Sequence, residues 1–406
     1  MSDIDLYDPA TYASGVPHGE LARLRAASPV HWQDIPGQAG YWAILKHADV
    51  EYVSRNPGLF SASRGGIVLD DFPEEQLQGQ RKMLLAMDPP VHRDHRRPLV
   101  PRFGRRAIAE LEGRVRQVCR EALAGSVGRG EVDFVRDVAS VLPTTVIGEL
   151  FGIPEEDRVH LHRLAELATR AGDPGGPGPD GAEPVDPREV TMRIGLYGYE
   201  HAVRRRAENR GEPADLTDVI LAADVGDGRR LDDADFGAFF VQIFTAGQDT
   251  TQIMLSSGLL ALLRHPGQLR MLRDDRSLIG GAVEEILRWA NPLHYFRRTA
   301  TEDVELRGVR IRAGDKVAMY YTSANRDEEV FDDPHRFDIT RSPNRHLSFG
   351  VAEHFCLGVH LARLEGRVFF EELLETCAEI EQTGPARRVR SNLNNGLASL
   401  PVRLSG

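Results

Sequence analysis

Residues Phe349–Glu365 read FGVAEHFCLGVHLARLE, and the position of Cys356 within them decides how the rest of the chain is read. The apolar residues after the cysteine recur at helical spacing, so Cys356 sits just ahead of a helix. A sulfur at a helix N-terminus meets free backbone N–H groups and the positive end of the helix dipole. Both favour thiolate over thiol. His354 lies two residues away, which in a loop does not ensure contact. On these residues alone three readings stay open: a nucleophile with a positioned base, a single axial metal ligand, and a plain buried cysteine. Cys119 in VRQVCREAL and Cys377 in ELLETCAEI lie among helical apolar positions and read as small core hydrophobes. Three cysteines without C-x-x-C spacing argue against a disulfide framework or a cysteine zinc site.

Working outward, most of the 406 residues read as helix. Residues 107–123, 155–170, 190–210, 232–264 and 361–377 carry apolar side chains at helical spacing. Short strand-like runs lie at 30–33, 41–45, 304–306, 309–311 and 316–321. The fold class is therefore mainly α with small β-sheets, an α+β arrangement expected to form one domain over residues 1–406. The longest helix candidate begins at Asp232, a good N-cap residue, and stops before Pro266. Its centre, TAGQDTT (Thr245–Thr251), sets Gly247 among polar residues, which predicts a local kink or widening. The segment AGDPGGPGPDGAEPVDP (171–187) cannot continue a helix and reads as a long mobile loop, a surface insertion or a lid.

The chain carries 50 basic and 61 acidic residues, a formal charge of −11. That argues against a nucleic-acid binder, which needs a basic face. The N-terminus has neither a basic n-region nor an apolar h-region, and no window reaches the ~18 to 20 apolar residues of a membrane span. The expectation is a cytoplasmic protein without a membrane span.

The stretch around Cys356 resembles the haem-binding loop of the cytochrome P-450 family, F-G-x-G-x-H/R-x-C-x-G. Phe349, Gly350, His354, Cys356 and Gly358 match in register, and Ala352 stands where the family has a second Gly. An Ala held at positive φ costs roughly 1 kcal/mol, the alternative being an ordinary conformation for the loop. Further motifs follow in the family's order. Glu285-Ile-Leu-Arg288 matches E-x-x-R, and Arg336 in DPHRF is expected to complete a structural Glu–Arg–Arg cluster. MDPPVHRDHRR (Met87–Arg97) is similar to D-P-P-x-H-x-x-x-R, so His92 and Arg96, with Arg298 and His354, are expected at the haem propionates. Arg297 would replace Arg298 if the register moved by one. AGQDTT (Ala246–Thr251) resembles A/G-G-x-D/E-T-T, which makes Asp249 the acid and Thr250 the alcohol of a proton relay, with Gly247 leaving room for oxygen and water.

The resemblance implies a haem-thiolate monooxygenase with Cys356 on the iron of haem b. It also implies dioxygen as co-substrate, and a ferredoxin with its reductase as electron donors to a probable monomer. A thiolate ligand pushes electron density toward the iron and favours O–O cleavage. By family position the substrate pocket is expected from Leu85, Phe244, Thr245, Ala246, Leu293, His294, Tyr295, Phe296, Asn395 and Leu397. The mix predicts a largely apolar substrate (a steroid, terpenoid, polyketide or branched lipid) with one or two polar handles. NPLHYFRRTATEDVELRGV, GDKVAMYYTSANRDEEVFDDP and SNLNNGLASLPV resemble the actinobacterial branch that oxidises steroids and methyl-branched lipids. The docking face for the ferredoxin is expected at Arg345, His346 and Arg363. Oxidative coupling, peroxide-driven oxidation and a non-catalytic haem sensor remain as alternatives, and so does a substrate tethered to a carrier protein.

Overall fold

A computed structural model describes residues 4–171, 186–208, 211 and 213–406. The glycine- and proline-rich segment lies almost wholly outside the described residues. The long helix spans Asp233–Arg264, its first turn capped by the Asp232 carboxylate, which accepts from the Asp235 N–H at 2.7 Å. Nearly every residue from Thr251 to Leu262 is buried, so helices pack around its whole circumference. Val141–Leu150, Pro187–Glu208, Ile279–Ala290 and Val359–Thr376 all lie against it.

The helix runs through Gly247 as continuous α-helix, without the local widening expected from TAGQDTT. Thr245 and Thr250 donate to the carbonyls of Val241 and Ala246, each at 2.7 Å. Their hydroxyls share carbonyls that stay in the helical ladder, and the ladder is not broken. Gly247 is needed for packing as well as for space, since a Cβ there would lie 3.2 Å from Ile147 Cδ1.

A five-stranded sheet flanks the helices in the order Val30–Ile35, Gln38–Ile44, Lys316–Tyr320, Tyr295–Ala300, Phe60–Ser61. The pair Gln38–Ile44 with Lys316–Tyr320 is parallel and the others are antiparallel. Tyr295–Ala300 escaped the sequence reading because its side chains are mixed polar and apolar, yet it supplies one wall of the site. Among the described residues no helix is long and apolar enough to cross a membrane. Cys119 and Cys377 are buried in the core, as their helical settings imply.

Glu285 and Arg288 are fully buried and joined by two hydrogen bonds of 2.7 and 2.8 Å. The third member of this cluster is Arg341 and not Arg336. Arg341 Nε lies 3.3 Å from Glu285, whereas the Arg336 side chain is 61% exposed and pairs with Asp338. The chain turns after Phe337, so the side chain five residues further on reaches back. Arg336 contributes only its carbonyl, which accepts from Arg288 at 3.1 Å. From this cluster the structure passes to the cysteine loop through Asn325, which binds Ser348 Oγ and the Leu347 N–H. Replacing Arg288 by Ala removes the bidentate partner of a buried carboxylate, leaving it Arg341 as its cation, and is expected to cost about 3–5 kcal/mol in urea denaturation. Arg336→Ala should stay within about 0.5 kcal/mol. Equal losses would return Arg336 to the cluster.

Candidate active site

The loop before Val359 is tied to itself. The Gly350 N–H donates to the Leu347 carbonyl and the Cys356 N–H to the Phe349 carbonyl, each at 2.8 Å. Gly350 sits at φ +65° and Ala352 at φ +59°. The loop therefore keeps its left-handed turn at residue 352 although a methyl group stands there, and the ordinary conformation is not adopted. Burial pushes the Cys356 thiol up. The Gly358 backbone N–H, Arg96 and Arg363 oppose that rise without overcoming it. The helix N-terminus alone does not make this a standing thiolate, and a bound cation would have to draw off the proton.

Cys356 borders a cavity between the loop, the central helix and the strand Tyr295–Ala300. On the central helix the cavity face is Gln242, Ile243, Ala246, Gly247, Thr250, Thr251 and Met254, the spacing of one helical side. On the strand the alternation puts Phe296 and Arg298 inside. Arg297 lies on the opposite face, its guanidinium toward the Val68 and Asp70 carbonyls. Of the two arginines, Arg298 is the one that borders the cavity.

Of the ten expected substrate residues, Leu85, Ala246, Leu293 and Phe296 line the cavity. Phe244, Thr245, His294, Tyr295, Asn395 and Leu397 do not, and this corrects the sequence reading. Phe244 points into the core and stacks on Phe240 at 5.3 Å, and the Thr245 hydroxyl is held by Val241. Each lies one step of ~100° around the helix from the open face. Tyr295 is on the far face of its strand, where its hydroxyl accepts from the Leu69 N–H. His294 packs on Tyr12 with ring centroids 4.3 Å apart. The Asn395 amide is held by backbone carbonyls at the end of the helix Ile279–Ala290, and Leu397 belongs to the core.

At one edge of the cavity His92, Arg96, Arg298 and His354 converge. His92 and His354 lie ring to ring at 4.3 Å. Neither ring nitrogen of His92 has a partner, nor has Nε2 of His354, although all are buried. Burial, reinforced by the neighbouring arginines, lowers His92 to about 4 and His354 to about 2, so both are neutral donors at pH 7. Arg298 is buried and donates only to the Arg297 carbonyl, and among the described residues it forms no ion pair. Three unpartnered ring nitrogens beside a buried arginine, Arg298, that has no carboxylate among the described residues fit an anionic group entering from the cavity, while Arg96 already donates to the Phe355 carbonyl at 2.6 Å.

Thr250 lines the cavity and Asp249 does not, lying half-buried behind it. The sequence reading missed Glu365, which also lines the cavity. Burial pushes its carboxyl up to about 8, against an opposing hydrogen bond with Thr251, so it is neutral at pH 7. It missed Gln242 as well, although Gln242, Ala246 and Thr250 stand four residues apart on one helix face. The expected docking patch is also corrected. His346 and Arg363 both bind Glu284, at 3.2 and 2.7 Å. Although burial opposes its ionisation, these bonds hold the Glu284 carboxyl at about 2. Of the three, only Arg345 remains without a carboxylate among the described residues.

A sequence model of the cytochrome P-450 family matches residues 197–401. A steroid C26-monooxygenase from Mycolicibacterium smegmatis is 37% identical over 415 residues, covering 100% of this chain and 94% of the relative. Cytochrome P-450-terp from a Pseudomonas species is 36% identical over 399 residues, 94% and 92% of the two chains. A solved Mycobacterium marinum cytochrome P-450 in complex with pseudoionone superimposes with a TM-score of 0.89 at 37% identity, covering 99% and 98%. The chain belongs to the cytochrome P-450 family. It is a haem-thiolate monooxygenase whose cofactor is haem b, and the actinobacterial steroid oxidisers among its relatives agree with the lean of its sequence.

The residues present fit that cofactor. The unpartnered histidine nitrogens with Arg96 and Arg298 suit propionates, the thiol suits an iron ligand, and Ala246 and Gly247 keep the helix wall free of bulky side chains. Because Ala352 holds a glycine conformation, Ala352→Gly should stabilise the protein by about 1 kcal/mol. Chemical denaturation checks this, and an unchanged midpoint would mean that the loop carries no strain there.

Proposed function

We propose that the protein holds haem b by the Cys356 thiolate and by His92, Arg96, Arg298 and His354 at the propionates, with Phe349 and Gly350 shaping the loop beneath it. There it hydroxylates a largely apolar small molecule of the steroid or branched-lipid class. The observation that supports this most is that one cavity joins Cys356, the unpartnered ring nitrogens of His92 and His354, and Arg96 and Arg298 to an apolar chamber. Bound haem supplies dioxygen activation at a thiolate-ligated iron. The chain's own residues position the substrate, exclude water and deliver protons. Leu85, Leu293 and Phe296 press the substrate toward Ala246. Thr250 is the last donor of the relay. Turning its hydroxyl from the Ala246 carbonyl into the cavity offers a proton, which Asp249, one residue earlier, replenishes.

The reduced protein with carbon monoxide should show the red-shifted Soret band of thiolate ligation, and Cys356→Ser should lose it while keeping the fold. An unchanged band would mean that another group binds the iron. Thr250→Ala should retain electron consumption but divert most of it from product, and full coupling would remove Thr250 from the relay.

A ferredoxin-type protein and its reductase are the proposed electron donors. Arg105 forms the rim of a groove shared with His360 and Arg363, close behind the cysteine loop. Its neighbour Arg106 is 98% exposed and only loosely paired with Glu110 at 3.9 Å. These cations take the place of the Glu284-bound Arg363 as an attraction for an acidic partner. The double change Arg105→Glu, Arg106→Glu should slow reduction by about tenfold at low salt and leave substrate affinity alone. Equal reduction rates would rule this face out.

A further inference from the structure

The substrate chamber is apolar, and the three polar side chains expected to orient a substrate there, His294, Tyr295 and Asn395, all face elsewhere. Gln242 stands in the chamber instead. It lies eight residues before Thr250 on the same helix face, about 12 Å along the axis at 1.5 Å per residue. Leu84, Leu85, Ile243, Leu293 and Phe296 line the cavity with it. The Leu85 N–H donates to Gln242 Oε1 at 3.2 Å. That bond fixes which end of the amide is which. Among the described residues no hydrogen bond engages Nε2, so two N–H groups remain to be satisfied within an apolar chamber.

We infer that Gln242 is a specificity-determining residue. It donates to a neutral oxygen (a carbonyl, hydroxyl or ether) on the end of the substrate remote from the oxidised carbon. The inference rests on the function proposed above and adds the polarity and length of the substrate. An amide donor selects an acceptor. A carboxylate is disfavoured because the buried cations, Arg96 and Arg298, lie at the opposite edge with His92 and His354. The molecule that fits is elongated and apolar, with one neutral acceptor about 12 Å from the carbon brought to Thr250. Oxidation then falls on the end opposite that oxygen, because the acceptor anchors the far end.

The test is a spin-state titration of the haem-loaded protein with two probes of one shape, pregn-4-en-3-one and pregn-4-ene, whose short side chain ends about 12 Å from the ketone position, delivered in the same cyclodextrin. The ketone should bind the native protein about three- to tenfold more tightly than the hydrocarbon, the worth of one hydrogen bond. In Gln242→Met the ketone should lose that advantage while the hydrocarbon holds its affinity. Equal weakening of both probes would reduce Gln242 to a packing residue and overturn the inference, and so would unchanged ketone affinity. Native protein with an intact carbon monoxide band that neither probe shifts overturns the inference and leaves the haem-thiolate reading standing. Loss of that band overturns both.

Discussion

A cluster of buried donors without acceptors governs this structure. At the cavity edge His92 and His354 keep buried ring nitrogens without a protein partner, and Arg298 is buried without a carboxylate among the described residues. Desolvated polar groups of this kind are costly until they are paired, and cations more so. The fold is therefore incomplete in energetic terms until an anionic cofactor enters. The same pairing explains why two histidines stay neutral beside two arginines. Burial and positive neighbours both disfavour their charged forms, which leaves N–H groups as neutral donors.

The central helix does several jobs because its faces are kept apart. One face carries Gln242, Ala246, Thr250 and Met254 to the cavity. The face that carries Phe240 and Phe244 packs into the core. Gln248 Nε2 donates to Gln252 Oε1 at 2.7 Å, while Gln248 Oε1 is buried without a partner. Threonine hydroxyls rest on carbonyls four residues back, so polar side chains enter a buried helix without interrupting it. The strand Tyr295–Ala300 divides its side chains in the same way at a period of two.

Charge on the cysteine side follows the same rule of local pairing. Glu284 absorbs both His346 and Arg363, and Glu285 absorbs Arg288 and Arg341. The attraction available to a partner protein comes from the cations left over, and so from their pairing more than from their number. A chain of net charge −11 still presents Arg105 and Arg106 to solvent beside the groove behind that loop.

The sequence by itself determined the long helices, the cap at Asp232 and the loop around Cys356, and its family resemblance pointed to the four residues that meet at the cavity edge. These depend on local spacing, on capping chemistry and on side chains whose type is dictated by what they bind. It could also have yielded Gln242, since positions 242, 246 and 250 share a helix face by arithmetic alone. Only the tertiary structure decided which of two neighbours faces inward at Phe244 against Ile243, or at Tyr295 against Phe296. That choice depends on how an element is rotated against its neighbours, and a chemical type does not encode it. Tertiary structure also chose Arg341 over Arg336, because the turn after Phe337 sets which long side chain reaches back to a buried carboxylate. It held Ala352 in a left-handed turn as well. There the hydrogen bonds closing the cysteine loop outweigh a local steric preference of about 1 kcal/mol.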